Sequence, residues 1–126
     1  MDNIKVYKMN DYEWWASKLN KRETLDFYLK EMQMEEEDNP AENIIECDID
    51  KEGMWWETND KKDIERLGDS DELIHYEDTP RGKAKVPKFG DLWRLGSEIY
   101  KFTSFREVIK KIGEYKEPYM IACTEW

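Results

Sequence analysis

Two neighbouring tryptophans occur twice in this chain, as Trp14-Trp15 and as Trp55-Trp56. Each pair lies in a short segment that follows turn-forming residues, which is typical of a β-strand in a hairpin. Neighbouring side chains of a strand point to opposite faces of the sheet, so one core layer cannot enclose both indoles of a pair. Either both faces of the sheet are covered, or one indole of each pair is exposed, where it would serve an interface or stack on a ligand.

Size and composition predict a single folded domain over residues 1–126. A chain of 126 residues can build one substantial core, whereas two domains would leave both short of apolar residues. Charged residues make up 40% of the sequence, which is typical of disorder, but six Trp, seven Tyr and four Phe accompany them. Because disordered segments are poor in aromatic residues, we expect an aromatic core inside a highly charged surface.

Apolar periodicity and turn residues predict an α+β fold: a mainly antiparallel sheet built from hairpins, with two main helices and one short helix. Asn20 and Glu23 form a helix-capping pattern, and Ser104 and Glu107 repeat it. The predicted hairpins pair residues 4–9 with 13–16, 44–49 with 54–57, and 91–95 with 98–103. The short helix is expected before Gly68, residues 69–88 are expected to be irregular, and residues 119–124 are expected to form an inner strand.

The formal net charge of −10 restricts the possible partners. A field of this sign repels phosphate backbones, which argues against direct binding to nucleic acid. It suits a basic partner, or it only keeps the protein soluble. Cys47 and Cys123 lie in no zinc or redox spacing, and the chain shows no signal peptide and no long apolar run. We therefore expect reduced thiols in a cytoplasmic protein without contact to a membrane.

A basic segment interrupts this acidic sequence, with four cations in eight residues. Such a segment, with a glycine in it, favours binding of phosphate or another anion. The alternative is a solvated loop whose charge offsets the acids of residues 69–77. For a nucleotide-like ligand, the predicted site consists of this segment and the paired indoles: Arg81, Lys83, Lys85, Lys88, Trp14, Trp15, Trp55 and Trp56.

The sequence offers little for catalysis or for a cofactor. His75 is the only histidine, and no nucleophile motif surrounds it. Residues 48–53 match the opening of a calcium loop, but Asn59 stands where the loop needs a bidentate Glu, so a turn between strands is the better interpretation. Acid pairs such as Asp48 and Asp50 arise by chance among 30 acids. We expect no cofactor, no bound metal and no enzymatic activity.

Three stretches resemble small acidic proteins encoded by phages and prophages of Gram-positive bacteria. They are KVYKMNDYEWWA (residues 5–16), ECDIDKEGMWWET (residues 46–58), and FTSFRE with EPY (residues 102–107 and 117–119). This resemblance carries no site residues over to the chain. It implies a counter-defence role in the cytoplasm of a host bacterial cell, either by masking a nuclease or by sequestering a signalling nucleotide.

These observations leave three functional hypotheses. The leading one is a non-enzymatic inhibitor of a host defence component that sequesters a small phosphorylated ligand. The second is an acidic mimic of nucleic acid that occupies a basic groove of a host defence protein. Its contact residues would come from two acidic runs: Glu35, Glu36, Glu37, Asp69, Asp71 and Glu72. The third is a structural or regulatory phage protein that assembles with itself as a homo-oligomer.

Overall fold

The computed structural model describes residues 3–123 and confirms the α+β fold with mainly antiparallel sheets. Within these residues the helices are α1 (Lys21–Met32), α2 (Lys61–Leu67) and α3 (Phe105–Ile112), with 3₁₀ turns at Glu36–Asp38 and Ala41–Asn43. The strands are β1 (Lys5–Lys8), β2 (Glu13–Ser17), β3 (Ile45–Cys47), β4 (Gly53–Glu57), β5 (Glu72–Leu73), β6 (Tyr76–Thr79), β7 (Gly82–Lys85), β8 (Leu92–Leu95), β9 (Glu98–Ser104) and β10 (Tyr119–Cys123). Among the described helices, none has the length and apolar character that a membrane crossing requires.

The chain divides into two compact units. The first unit comprises residues 1–52 and 105–126, and the second unit is Gly53–Ser104. In sequence, the second unit is therefore inserted between β3 and α3 of the first. That residues 1–126 behave as one domain stays a prediction.

The first unit contains a four-stranded sheet in the order β10-β2-β1-β3. The predicted hairpin of β1 and β2 is confirmed, with Tyr7 opposite Trp15. The predicted helix α1 is also confirmed, and the Asn20 side chain accepts a hydrogen bond from the Glu23 N–H at 2.8 Å. Leu25 and Tyr28 of α1 are buried in one cluster with Tyr7 and Trp15, so α1 covers this face of the sheet.

The second unit contains a four-stranded sheet in the order β4-β9-β8-β5 and a separate pair, β6 and β7. The predicted hairpin of β8 and β9 is confirmed, and its register places Leu92 opposite Lys101 and Trp93 opposite Tyr100. Helix α2 begins after Asp60, whose side chain accepts from the Lys62 N–H, and ends at Gly68, which has a positive φ of 59°. Leu67 of α2 packs in a buried cluster with Leu92 and Ile99.

The predicted hairpin of residues 44–49 with 54–57 is wrong. β3 pairs with β1, whereas β4 pairs with β9, so the two strands belong to different sheets. The turn between them does form, because the N–H groups of Lys51 and Glu52 both donate to the Asp48 carbonyl. The turn-forming residues therefore predicted the turn but not which strand pairs with β4. β4 pairs with β9 at five positions, while β3 is only three residues long.

Two further expectations need correction. β10 is an edge strand of its sheet, with Met120 47% exposed, and not an inner strand. Residues 69–88, expected to be irregular, contain β5, β6 and β7. All eight residues of β6 and β7 are exposed, so these strands lack the apolar alternation that reveals a half-buried strand in a sequence.

Truncation at two apolar positions of α1 should distinguish a core residue from an exposed one. Leu25 is fully buried, while Met32 at the end of the same helix is 43% exposed. We expect Leu25→Ala to lower the free energy of unfolding by about 2–5 kcal/mol, because it leaves a cavity. Met32→Ala should change it by less than about 0.5 kcal/mol. Urea unfolding followed by tryptophan fluorescence measures both, and equal losses would contradict this packing of α1.

Candidate functional site

The first tryptophan pair is divided between a core and a half-buried position. Trp15 is 6% exposed, packs edge-on against Tyr28 with ring centroids 5.2 Å apart, and donates its indole N–H to Glu13. Trp14 lies on the opposite face of β2, with the Lys8 ammonium 5.6 Å from its ring centroid. Trp15 is thus a core residue with a satisfied N–H, and Trp14 is half-buried.

The second pair leads to a continuous aromatic surface. Trp55 lies opposite Phe102, and Tyr100 lies two residues before Phe102 and opposite Trp93, so these four rings share one face of the sheet. The ring centroids of Trp55 are 5.2 Å from Phe102 and 5.8 Å from Trp93. Phe89 stacks on Phe102 at 5.6 Å with an interplanar angle of 21°. We call Trp55, Phe89, Trp93, Tyr100 and Phe102 the aromatic face.

Helix α2 covers the other face of the same sheet. Leu92 and Ile99 point to that side and pack against Leu67 of α2, and Lys101 forms an ion pair with Asp63 of α2 at 3.0 Å. Within residues 53–104, all of which the structure describes, α2 is the only α-helix. The aromatic face therefore has no helix of its own unit over it. Four of its rings are half-buried, and Phe89 is 46% exposed.

The predicted basic residues lie on and beside an exposed hairpin. We call residues 76–85, which comprise β6, β7 and the turn between them, the arm. Arg81 is in the turn of the arm, Lys83 and Lys85 are on β7, and Lys88 follows it. Within residues 3–123, no carboxylate lies within 4 Å of the charged groups of Arg81, Lys83 or Lys88. Their charge is thus available to a ligand.

Lys85 connects the arm to the aromatic face. Its ammonium lies 3.3 Å from Glu72 Oε2, and Glu72 is the register partner of Trp93. The Tyr76 hydroxyl also donates to Glu72, and together with Lys85 this hydrogen bond holds the pKa of Glu72 below its usual range. The structure thus brings Trp55 and Lys85 into one unit near one surface. Trp14 and Trp15 belong to the other unit.

Asp91 ties down both ends of the arm. Its carboxylate accepts from the backbone N–H groups of His75 and Lys88, each at 2.9 Å, and lies 2.6 Å from His75 Nδ1. Burial by itself raises the pKa of Asp91, but these hydrogen bonds outweigh it, so the pKa lies below the usual aspartate value. Since an isolated two-stranded hairpin is at best marginally stable, this attachment positions the arm.

The acidic candidates fall into two groups in different units. Glu35, Glu36 and Glu37 are exposed just after α1; Glu36 forms an ion pair with Arg22 at 2.8 Å, and Glu35 and Asp38 cap the first 3₁₀ turn. Asp69 and Asp71 are exposed before β5, whereas Glu72 is half-buried beside Trp93. The structure therefore describes two separate acidic segments.

Cys47 and the acidic residues of segment 48–53 bear on covalent and metal chemistry. Burial, followed by the charge of Glu52, raises the pKa of Cys47 to about 11, so this thiol is protonated at neutral pH. Asp50, in the segment that resembles a calcium loop, forms an ion pair with Arg106 at 2.5 Å. Among residues 3–123, no three His, Cys, Asp or Glu side chains are grouped so that they would hold a metal ion.

Sequence reasoning missed part of this arrangement. The alternation in the predicted hairpin of 91–95 with 98–103 was sufficient to place Trp93, Tyr100 and Phe102 on one face. Phe89 lies outside any strand, so no periodicity indicated it. The Asp91–His75 pair joins residues 16 positions apart, which no local pattern reveals.

Comparison of the chain with protein-family models, with curated proteins and with solved structures found no match. A function for this chain is therefore inferred from the geometry of the second unit.

Removal of the Asp91 carboxylate should loosen the base of the arm in a pH-dependent way. Because the folded-state pKa of Asp91 is lowered, its contribution to stability is complete above the unfolded pKa of about 4. That contribution is lost as the pH falls through the folded-state value. We expect Asp91→Asn to cost about 1–3 kcal/mol at pH 7, with a smaller difference from the wild type at pH 3.

Asp78→Asn is the matched control, because Asp78 is exposed on the arm. Urea unfolding of the three proteins between pH 3 and pH 7 measures the effect. An Asp91→Asn loss that is as small as that of the control would show that the arm does not depend on this carboxylate.

Proposed function

We propose that this protein is a non-enzymatic binding protein that sequesters a small, planar, phosphorylated ligand, such as a nucleotide, on the aromatic face. In the phage context that the resemblance implies, the ligand is the signal of a host defence system. The observation that carries this proposal is the cluster of five aromatic rings on the sheet face that α2 leaves uncovered.

Stacking supplies the affinity in this proposal. A nucleobase has a π-face whatever its hydrogen-bonding edge, and each base–aromatic stack contributes about 1–3 kcal/mol. Phe89 is 46% exposed and has one ring face against Phe102, which leaves its other side for a ligand. Trp55 and Trp93 are tilted by 59° to each other, so they offer an edge and a face to a planar molecule.

Charge around the aromatic face favours a small ligand over a nucleic-acid strand. Glu57 and Glu72 share this face as the register partners of Tyr100 and Trp93, and the Tyr100 hydroxyl donates to Glu98. These acids repel an extended phosphate backbone. The cations of the arm and Lys88 belong to the same unit, and Lys85 reaches the edge of this face through its ion pair with Glu72.

A non-enzymatic role fits the side chains of the second unit. The His75–Asp91 pair has the geometry of an oriented base, but the unit contains no cysteine, and no serine or threonine hydroxyl within residues 53–104 is hydrogen-bonded to His75. A covalent mechanism needs such a nucleophile. Cys47, in the other unit, is a buried thiol.

Replacement of single aromatic rings should test the proposal. We expect Trp93→Ala and Trp55→Ala to weaken binding of nucleoside monophosphates about tenfold, which is the loss of one stacking contact. Trp93→Phe should retain most of the affinity because it keeps an aromatic ring. Isothermal titration of the full chain with a panel of linear and cyclic nucleotides measures the dissociation constants.

Trp14→Ala is the matched control, because Trp14 is also half-buried but lies under Lys8 in the other unit. It should bind nucleotides as the wild type does, and the nucleotides should be recovered chemically unchanged. If no member of the panel binds, or if both alanine variants keep full affinity, the proposal fails. A dimer that Trp93→Ala dissociates would instead support self-assembly through this face.

Nucleic-acid mimicry is a second candidate, favoured by the distribution of charge. The first unit carries 19 acids against 11 bases, whereas the second carries 11 against 9. Glu31 and Glu37 are exposed at and after the end of α1, and within residues 3–123 neither forms an ion pair. If the protein is a mimic, Glu31→Lys combined with Glu37→Lys should abolish its inhibition of the host defence protein. The same change should leave nucleotide binding on the aromatic face unchanged.

A further inference from the structure

A shallow cleft of 310 Å³ lies in the second unit. It is lined by Arg66, Leu73, Ile74, His75, Gly90 and Asp91. Gly90 directly follows Phe89 of the aromatic face in the chain. The cleft brings together a histidine, a guanidinium and a buried carboxylate, and Leu73 and Ile74 form its apolar part. The sequence did not predict that these polar groups lie together.

Asp91 determines which nitrogen of His75 faces the cleft. The Asp91 side chain is 5% exposed, and its Oδ1 lies 2.6 Å from His75 Nδ1. An ionised carboxylate can only accept a hydrogen bond, so Nδ1 carries a proton and Nε2 is the free nitrogen. The His75 side chain is 55% exposed, and within residues 3–123 Nε2 has no hydrogen-bond partner. Neutral His75 therefore presents an acceptor to a ligand, and protonated His75 presents a donor.

Arg66 supplies the positive charge of the cleft. It lies in the last turn of α2, and its Nη2 donates to the Gly90 carbonyl. A guanidinium has five N–H donors in a fixed plane, so one bond to a carbonyl leaves others for a ligand. Asp63, three residues before Arg66 on α2, forms an ion pair with Lys101 at 3.0 Å. The Asp91 charge also belongs to the cleft, but two backbone N–H groups and the His75 ring occupy its oxygens.

We propose that Arg66 and His75 form a binding site for a phosphate monoester. A ring nitrogen and a phosphate monoester oxygen can share one proton in a hydrogen bond. That proton lies either on His75 Nε2, which then donates to P–O⁻, or on the phosphate, whose P–OH then donates to Nε2. Arg66 donates to a second phosphate oxygen in both cases. A phosphate diester has no second proton and carries a single charge, so it matches the site less well.

This site would hold the phosphate group of the ligand proposed above. The identity of that ligand rests on the proposed function. The ring would lie against Phe89, and the phosphate would lie next to Gly90. The cleft itself is defined by its own residues and can be tested with inorganic phosphate alone.

Because His75 is the only histidine of the chain, its ring signals report on this cleft alone. We propose to follow the His75 ring protons by NMR in the untagged full chain at pH 6.5, with inorganic phosphate added at constant ionic strength. The signals should move saturably with phosphate and with methyl phosphate, and about tenfold less affinity is expected for dimethyl phosphate. Arg66→Gln should also weaken phosphate binding about tenfold.

Arg94→Gln is the matched control, since Arg94 also donates to backbone carbonyls, those of Gly68 and Ser70, but does not line the cleft. It should bind phosphate as the wild type does, and the remaining signals of each spectrum show that the variants are folded. The inference is wrong if phosphate does not move the His75 signals saturably, or if Arg66→Gln binds as tightly as the wild type. Trp55→Ala should keep phosphate binding, so a loss of nucleotide binding alone would count only against the aromatic face.

Discussion

A β-strand cannot place two neighbouring side chains on one face of a sheet, and the surface of the second unit follows from this constraint. Trp56 and Lys101 are opposite each other on the face that carries α2, so Trp55 and Phe102 must point the other way. Helix α2 has only seven residues. Its buried Leu67 packs against Leu92 and Ile99, and its Asp63 pairs with Lys101, all on the face that α2 covers. The rings on the opposite face pack against one another because no helix of their unit reaches them.

Asp91 organises a second part of this unit, which consists of the arm and the His75 ring. One buried carboxylate holds His75 and Lys88 at the two ends of the arm and also fixes the orientation of the His75 ring. Its lowered pKa is a consequence of those hydrogen bonds, which exceed the effect of burial. A single side chain thus couples the position of the arm to the geometry of the cleft.

Local patterns predicted the helices and two of the hairpins, because helix caps and apolar periodicity depend on residues that are close together in the sequence. Asn20, whose side chain caps α1, and Gly68, at which α2 ends, illustrate this. The pairing of β4 with β9 was missed, since a turn at residues 48–53 does not determine which strand continues beside it. The alternation of a strand predicted that the two indoles of each pair lie on opposite faces, but only tertiary structure distinguishes Trp15, a core residue, from Trp55. The pairing of His75 with Asp91 depends on long-range contacts and was beyond any sequence pattern.

The most direct test of the aromatic face as a ligand platform uses the indole N–H signals of the six tryptophans in a nitrogen–proton NMR spectrum. On addition of a nucleoside monophosphate, the signals of Trp55 and Trp93 should shift with one common dissociation constant. Trp56, on the opposite face of the same strand, and Trp15, in the core of the other unit, should remain in place. Shifts confined to Trp14 or Trp15, or no shift of any indole, would contradict this account.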